Sequence, residues 1–319
     1  MMKEIIDPIE KHLLVQELTP DKFLRKANKG GNEIYSFTFH DSPHLMLEVA
    51  RLREIAFRHS GGGSGAMLDI DAYDTAKVPY RQLIVWDPTA QEIVGGYRYF
   101  LGYQKAKDAA KEISLAISTC FKLSEKFTKE YLPHSIELGR AFVHPEYQSS
   151  RLGSKSLYIL DNLWDGLGAL ISLHPQVKYF FGKVTTYRSF NPLARNTILR
   201  FMRIYFPDHE RLLTPNHPLK DDLEAPELRN LFLGVNYDDD FRFLVQKVRQ
   251  LGENLPPLLS AYVNLSSTMK VLGTTVNEAF GDVDETAILV TISDIYPNKL
   301  ARHVASYQKA TASYELVND

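Results

Sequence analysis

Cysteine is nearly absent from this 319-residue chain, which contains only Cys120. One cysteine cannot form an intrachain disulfide or supply a cysteine-rich zinc site, so a reducing, cytoplasmic compartment fits best. No window approaches the roughly 20 apolar residues that a membrane-spanning helix needs. The first residues lack an uninterrupted apolar stretch and a small-residue cleavage site, so the sequence predicts no signal peptide.

Charge of one sign is not in excess either, because 37 Lys and Arg residues face 39 Asp and Glu residues. These charges are interspersed, and the absence of a basic face argues against a nucleic-acid partner. The glycine-rich run Ser60 to Pro79 lacks the Lys-Ser/Thr that would make it a nucleotide P-loop. We expect no permanently bound cofactor and no metal.

Strand and helix patterns interleave along the rest of the chain. EIYSFTF alternates apolar and polar residues like a strand, and a helix follows in which Ser42 is the expected N-cap. Two strands near residues 80–102 read as an antiparallel hairpin. The predicted class is therefore α+β, or mixed α/β. We divide the chain into an N-terminal arm (1–32), a core (33–210) and a C-terminal extension (211–319) that packs on the core and contributes a late strand.

The segment with the clearest chemical pattern lies between residues 135 and 172, where a strand, a loop and a long amphipathic helix follow one another. Such a loop directs backbone amides toward the helix N-terminus, where anions are favoured. Phosphopantetheine, which coenzyme A and acyl carrier protein share, carries a phosphate or pyrophosphate that such a site can hold.

HPEYQSSRLGSKSL resembles the acyl-donor loop of the GNAT acyltransferases, which follows a Q/R-x-x-G/A-x-G/A pattern. Gln148, Arg151 and Gly153 take its three positions, although Arg151 places a side chain where the family usually has glycine. The resemblance implies a GNAT-like twisted mixed sheet flanked by helices. It also implies that the acyl donor is bound by Val143, Gln148, Ser149, Ser150, Arg151, Leu152, Gly153 and Ser154.

Further elements are similar to the bacterial ornithine-lipid and glycine-lipid N-acyltransferases, relatives of the acyl-homoserine-lactone synthases. ELGR supplies Glu137, Gly139 and Arg140, while LREIAF supplies Arg53 and Phe57. LDIDAYD supplies Asp71 and Asp74, and GGYR supplies Arg98. The resemblance implies transfer of a fatty acyl group, with or without a 3-hydroxyl, from an acyl carrier protein or CoA thioester to an amino acid such as glycine or ornithine. The product would be an amino-acid-containing lipid, which makes peripheral contact with the inner face of the membrane plausible.

Aminolysis of a thioester needs a base, because amino-acid amines are largely protonated at neutral pH. Glu137 is the expected base. Glu137 and Arg140 are three residues apart, so a regular strand would send them to opposite faces. Gly139 is the residue type that a β-bulge uses, and a bulge would restore a common face and free an amide for the thioester carbonyl.

The remaining charged residues have two interpretations. The resemblance implies that Arg53, Phe57, Asp71, Asp74 and Arg98 bind the acceptor. The four charged residues could also pair with one another. Acidic residues in a glycine-rich loop are often only solvated, and we rank Asp69 below its neighbours for that reason. Arg98 lies in an apolar strand and therefore needs a partner.

Three other functions compete with this hypothesis. His217 and Asp222 have the spacing of a glycerolipid acyltransferase pair, but no matching phosphate-binding motif follows. A signal synthase of the acyl-homoserine-lactone type and a non-catalytic acyl-thioester-binding protein are the other two.

Overall fold

In a computed structural model of the chain, the structure describes residues 2–107, 114–148, 154–220 and 225–307. Within these ranges the strands are β1 (Phe23–Lys26), β2 (Glu33–Phe37), β3 (Arg81–Asp87), β4 (Glu92–Leu101), β5 (Phe121–Leu123), β6 (Ser135–Val143), β7 (Tyr179–Thr186), β8 (Leu213–Pro215), β9 (Lys270–Asn277) and β10 (Val283–Thr291). The α-helices are α1 (Lys11–Glu17), α2 (Pro43–His59), α3 (Ala72–Thr75), α4 (Gly102–Lys107), α5 (Ser154–Leu173), α6 (Pro192–Tyr205), α7 (Pro226–Arg229), α8 (Tyr237–Gln250), α9 (Pro257–Val263) and α10 (Pro297–Leu300). The predicted mixed α/β class is confirmed.

The chain forms two compact units, each assembled from separate segments. The first consists of Met1–Gly102, Ile136–Val177 and Tyr296–Asp319, and the second of Tyr103–Ser135 and Lys178–Ile295. The division along the chain into arm, core and extension stays a prediction.

The first unit contains an antiparallel run of strands in the order β1, β2, β3, β4, β6. The hairpin predicted near residues 80–102 is present as β3 and β4. Strand β4 is almost wholly buried, and helices α2 and α5 contact it. Glycines permit close packing here: a Cβ on Gly96 would lie 2.9 Å from the carbonyl oxygen of Leu83 and 2.9 Å from the Phe142 ring.

Helix α2 buries one face, on which Leu45, Val49, Leu52 and Ala56 recur at helical spacing. Ser42 is its N-cap residue, as expected, but the Ser42 side chain donates to Asp41 and makes no capping bond. The carboxylate of Glu17 instead accepts from the amides of His44 at 3.1 Å and Leu45 at 2.8 Å. A carboxylate suits a helix N-terminus because it satisfies free amides and opposes the helix dipole.

In the second unit, strand β10 pairs with β7 on one side and with β9 on the other, and both pairings are antiparallel. Strand β10 is buried except at its last residue. Strands β5 and β8 form a separate antiparallel pair. Helices α6 and α8 contact each other around an aromatic cluster centred on Phe201. Strand β8 and helix α7 lie in the proline-rich stretch between residues 207 and 229.

Among the residues that the structure describes, no helix is long and apolar enough to cross a membrane.

Replacing Gly96 by alanine tests the packing of β4. We expect Gly96→Ala to lower the free energy of unfolding by about 1–3 kcal/mol, since the added methyl group meets the Leu83 backbone as well as the Phe142 ring. Gly139→Ala is the matched control, because a Cβ at Gly139 meets nothing within 4 Å. Urea unfolding of both variants measures the difference, and equal losses of stability would contradict the packing argument.

Candidate active site

Three arginines and three aspartates of the first unit form a charge-balanced network. Arg53 on α2 donates from Nε to Asp69 Oδ2 at 2.9 Å and from Nη2 to Asp74 Oδ2 at 2.9 Å. Arg98 on β4 donates from Nη1 to both carboxylate oxygens of Asp71, at 2.8 and 2.7 Å, and to Asp74 at 3.2 Å. The structure therefore brings together residues that are 45 positions apart in the sequence.

Arg140 on β6 joins this network through Asp69, to which its Nε lies at 2.9 Å. Its Nη2 lies 3.7 Å from Asp71 Oδ2, and its guanidinium carbon lies 6.0 Å from the centroid of the Phe57 ring. Phe57 thus contacts the guanidinium of Arg140, and its expected role in binding the acceptor stays a prediction.

Burial distinguishes the members of the network. The side chains of Arg53 and Asp74 are 0% exposed, whereas those of Asp71 and Arg140 are 29% and 20% exposed. Buried charges are costly unless they are paired and hydrogen-bonded, and here each sign is matched. The network therefore has a closed interior and one acidic and one basic member that solvent can reach.

The arginines control the ionisation of the aspartates. Burial alone would raise the pKa of Asp69, but the guanidinium groups of Arg53, Arg140 and Arg98 hold the pKa below its ordinary value. The pKa of Asp74 is lowered in the same way, since Arg53 and Arg98 outweigh burial. Both carboxylates are therefore charged at neutral pH.

The acidic loop is more ordered than a solvated loop. Asp71 is the N-cap of α3 and accepts from the amides of Tyr73 and Asp74, while Asp74 accepts from the amide of Asp71. This reciprocal capping box sets the spacing of the two carboxylates. Asp69, which the sequence ranking placed lowest, is buried and bridges Arg53 and Arg140.

The glycine-rich loop before Asp69 is held by a buried carboxylate that the sequence did not point to. Glu54 on α2 is 0% exposed and accepts from Arg58 Nε at 2.8 Å, the Ser64 amide at 3.0 Å and the Gly65 amide at 2.8 Å. The carboxylate next in sequence to Arg53 thus ties down the loop that leads to the aspartates.

Glu137 on β6 is buried, and its Oε2 accepts from the Tyr80 hydroxyl at 2.6 Å. The Tyr80 ring stacks on Phe100 at 4.8 Å and lies 5.1 Å from the guanidinium carbon of Arg98. Tyr80 therefore connects Glu137 to the charged network. Sequence reasoning missed Tyr80, because a tyrosine at the start of a strand is usually a core residue.

The expected bulge in β6 is present. Gly96 pairs with Phe142 and Arg98 pairs with Gly139, so Arg140 and Ala141 together oppose Tyr97. The left-handed residue of this bulge is Arg140, at φ 50°, whereas we expected Gly139 to provide the special conformation. Such a conformation is uncommon for a residue with a side chain, and it lets Arg140 reach Asp69 from the strand that carries Glu137.

Only the edges of the predicted donor loop fall within the described residues. Val143 ends β6, and its carbonyl oxygen accepts from Gln148 Nε2 at 2.7 Å, which closes the turn after the strand. Ser154 begins α5. Ser149, Ser150, Arg151, Leu152 and Gly153 lie outside the described residues, as does Asp222 of the competing His217 pair, so the donor assignments stay predictions.

Strand β6 has a bulge, carries a buried glutamate and precedes helix α5, as expected from the resemblance to the GNAT class, and comparison with known proteins agrees. The profile of the Acetyltransferase (GNAT) domain matches residues 52–156. A glycine N(alpha)-acyltransferase of Phocaeicola vulgatus is 51% identical over 97% of this chain and 94% of its own length. Another protein of that name, from Bacteroides thetaiotaomicron, is 52% identical over 96% of this chain and 91% of its own length.

The chain belongs to the family of these GNAT N-acyltransferases, and it is an acyltransferase. A solved CoA-dependent acyl-homoserine lactone synthase with SAM and isopentyl-CoA overlaps 87% of this chain and 90% of its own, at 12% identity and a TM-score of 0.34. The GNAT class and the N-acyltransferase kinship expected from the sequence are confirmed by the domain match and the two relatives.

Removing a shared carboxylate should expose the cost of the buried charges. We expect Asp69→Asn to destabilise the protein at pH 7 by about 3–5 kcal/mol, because Arg53 and Arg140 lose their common partner. The folded-state pKa of Asp69 lies below the ordinary value of 3.8. Its stabilising contribution is therefore complete above that value and is lost as the pH falls through the folded-state pKa.

Urea unfolding between pH 7 and pH 3 tests this expectation. The difference between the wild type and Asp69→Asn should shrink below about pH 4. Glu10→Gln, which changes an exposed carboxylate of the same unit, should follow the wild type at every pH. A constant difference between wild type and Asp69→Asn would show that charge pairing is not the cause.

Proposed function

We propose that this enzyme transfers a fatty acyl group from a phosphopantetheine thioester, on CoA or acyl carrier protein, to the amine of glycine, in the synthesis of amino-acid-containing lipids. The observation that carries the proposal is the buried Glu137–Tyr80 pair beside the bulge at Arg140. The two relatives are glycine N(alpha)-acyltransferases, which supports glycine as the acceptor.

The exposed edge of the charged network suits a zwitterionic acceptor. Free glycine carries an ammonium and a carboxylate close together, so its site must offer both signs. Asp71 and Arg140 are the partly exposed members of the network, and their nearest charged atoms are 3.7 Å apart. In this proposal Arg140 binds the glycine carboxylate and Asp71 binds the ammonium. Arg53, Asp74 and Arg98 hold the side chains of Arg140 and Asp71 in place.

Glu137 then serves as the general base. It accepts a proton from the glycine ammonium, directly or through a water, and the neutral nitrogen attacks the thioester carbonyl carbon. The C–N bond forms, the carbonyl π electrons move onto oxygen, and the tetrahedral intermediate expels the thiolate. The amine's second proton neutralises the thiolate, so the products are the amide, a thiol and one proton.

The bulge in β6 supports stabilisation of the developing oxyanion. The extra residue of a β-bulge is left out of the strand ladder, which makes backbone amides available. An amide aimed at a developing negative charge is worth several kcal/mol in a site from which water is excluded. We assign this role to the Gly139–Ala141 backbone, and the binding of the donor phosphate to Val143, Gln148 and residues 149–154.

Glu137→Gln tests the base. The amide can still accept the Tyr80 hydrogen bond, so the fold should be retained while kcat falls by about 10²- to 10⁴-fold. Purified protein, an acyl-CoA or acyl carrier protein donor and labelled glycine give the rate, and thermal unfolding checks the fold. Glu278→Gln, at an exposed glutamate of the second unit, should keep full activity. Full activity of Glu137→Gln would remove Glu137 from the mechanism.

Lipid mass spectrometry of a host with and without the gene identifies both substrates. We expect N-acylglycine species to accumulate, with the label of supplied glycine, while ornithine conjugates stay unchanged. Acyl-homoserine lactones in the medium would instead identify a signal synthase. A lipid profile that does not change, together with thioester binding by the purified protein, would identify a non-catalytic binding protein.

A further inference from the structure

The second unit contains a cavity of about 390 Å³ that has no part in the chemistry above. Such a volume lies within the range of small-molecule sites. Its walls are mainly leucine, proline and valine, with two arginines and one aspartate among them. The lining residues are Leu199, Arg203, Pro207, Asp208, Arg211, Leu213, Pro215, Pro218, Leu219, Val271, Leu272, Gly273 and Thr274.

The cavity lies along the side of β9 that does not pair with β10. Bridges at Pro207–Val271 and Pro218–Thr275 lie on this side, and between them β9 has a bulge at Leu272. Gly273 has φ 128°, and a Cβ there would lie 2.9 Å from Pro215 Cγ. Proline has no backbone N–H to donate to a neighbouring strand. The prolines along this edge of β9 therefore prevent continuous strand pairing, and the cavity stays open.

Arg211 lies in this lining with a strained backbone, at φ 53°. The Asp208 carboxylate holds the turn around it, because it accepts from the amides of Glu210 at 3.0 Å and Leu212 at 2.7 Å. Arg211 makes no ion pair with any residue inside the described ranges and is exposed. A glycine would adopt this conformation without strain. The arginine at this position therefore indicates a function for its guanidinium group.

We propose that this cavity binds a long-chain carboxylate, with the acyl chain against Leu199, Leu213 and Leu272 and the carboxylate at Arg211. Asp208 does not oppose an anion strongly, because its charge is already engaged by two backbone amides. A free fatty acid and an N-acylated amino acid share this chemistry. The assignment of an N-acylated amino acid as the natural ligand rests on the proposed function, whereas the affinity for a long-chain carboxylate does not.

Equilibrium dialysis of the full chain against radiolabelled palmitate and N-palmitoylglycine, below their micelle concentrations, tests the site. We expect saturable binding of one equivalent, with much weaker binding of hexadecanol and acetate. Arg211→Gly keeps the left-handed backbone and removes the guanidinium, so affinity should fall ~10-fold, as for one lost charged hydrogen bond. Arg211→Lys should keep most of the affinity, and Arg249→Ala, on α8 away from the lining, should keep all of it.

Arg211→Gly should also unfold at a higher temperature than the wild type, because relief of strain does not depend on ligand. Equal binding of hexadecanol and palmitate, or unchanged affinity in Arg211→Gly, would overturn the proposal. Acetate binding as tightly as palmitate would show that the apolar walls do not contribute to binding. Binding needs no turnover, so protein that binds palmitate but does not acylate glycine would contradict only the proposed function.

Discussion

The site of this enzyme depends on one interaction, the mutual neutralisation of three arginines and three aspartates in a place largely closed to water. The arginines alone, or the aspartates alone, would destabilise the fold, since an unpaired buried ion costs several kcal/mol. Together they fix α2, the acidic loop, β4 and β6 in one arrangement, because Arg53, Asp69, Arg98 and Arg140 each come from a different one of these elements. The geometry around Glu137 follows from that arrangement.

The network also explains why strand β6 is irregular. A regular β6 would place Glu137 and Arg140 on opposite faces, and only one could meet the charges on α2 and its loop. The bulge adds a residue and the left-handed backbone of Arg140 turns its side chain toward Asp69. Strain at one residue thus allows Glu137 and Arg140 from the same strand to lie in one site, a common use of β-bulges near active sites.

Much of this arrangement could be predicted from residue types and spacing. SIELGRAFV was predicted as a strand and is β6, and the pairing of Arg98 with an acid followed from the cost of burying it alone. Asp69 was underrated because an acid after a glycine-rich run usually faces water. Its burial depends on a loop that Glu54 fixes from another element, which no local pattern encodes. Tyr80 was missed for a similar reason, since its role comes only from contacts across β6 and β4. Strand β9 was also missed, because Gly273 and its threonines interrupt the apolar alternation.

The charged residues of the network are synthesised in the order of their positions in the chain. Two arginines and all three aspartates of the network precede residue 100, whereas Arg140 comes some forty residues later. The network residues made before Arg140 therefore carry one surplus negative charge. Arg140 matches this charge and lies on the strand that also carries Glu137, so one strand supplies both the last cation of the network and the proposed base.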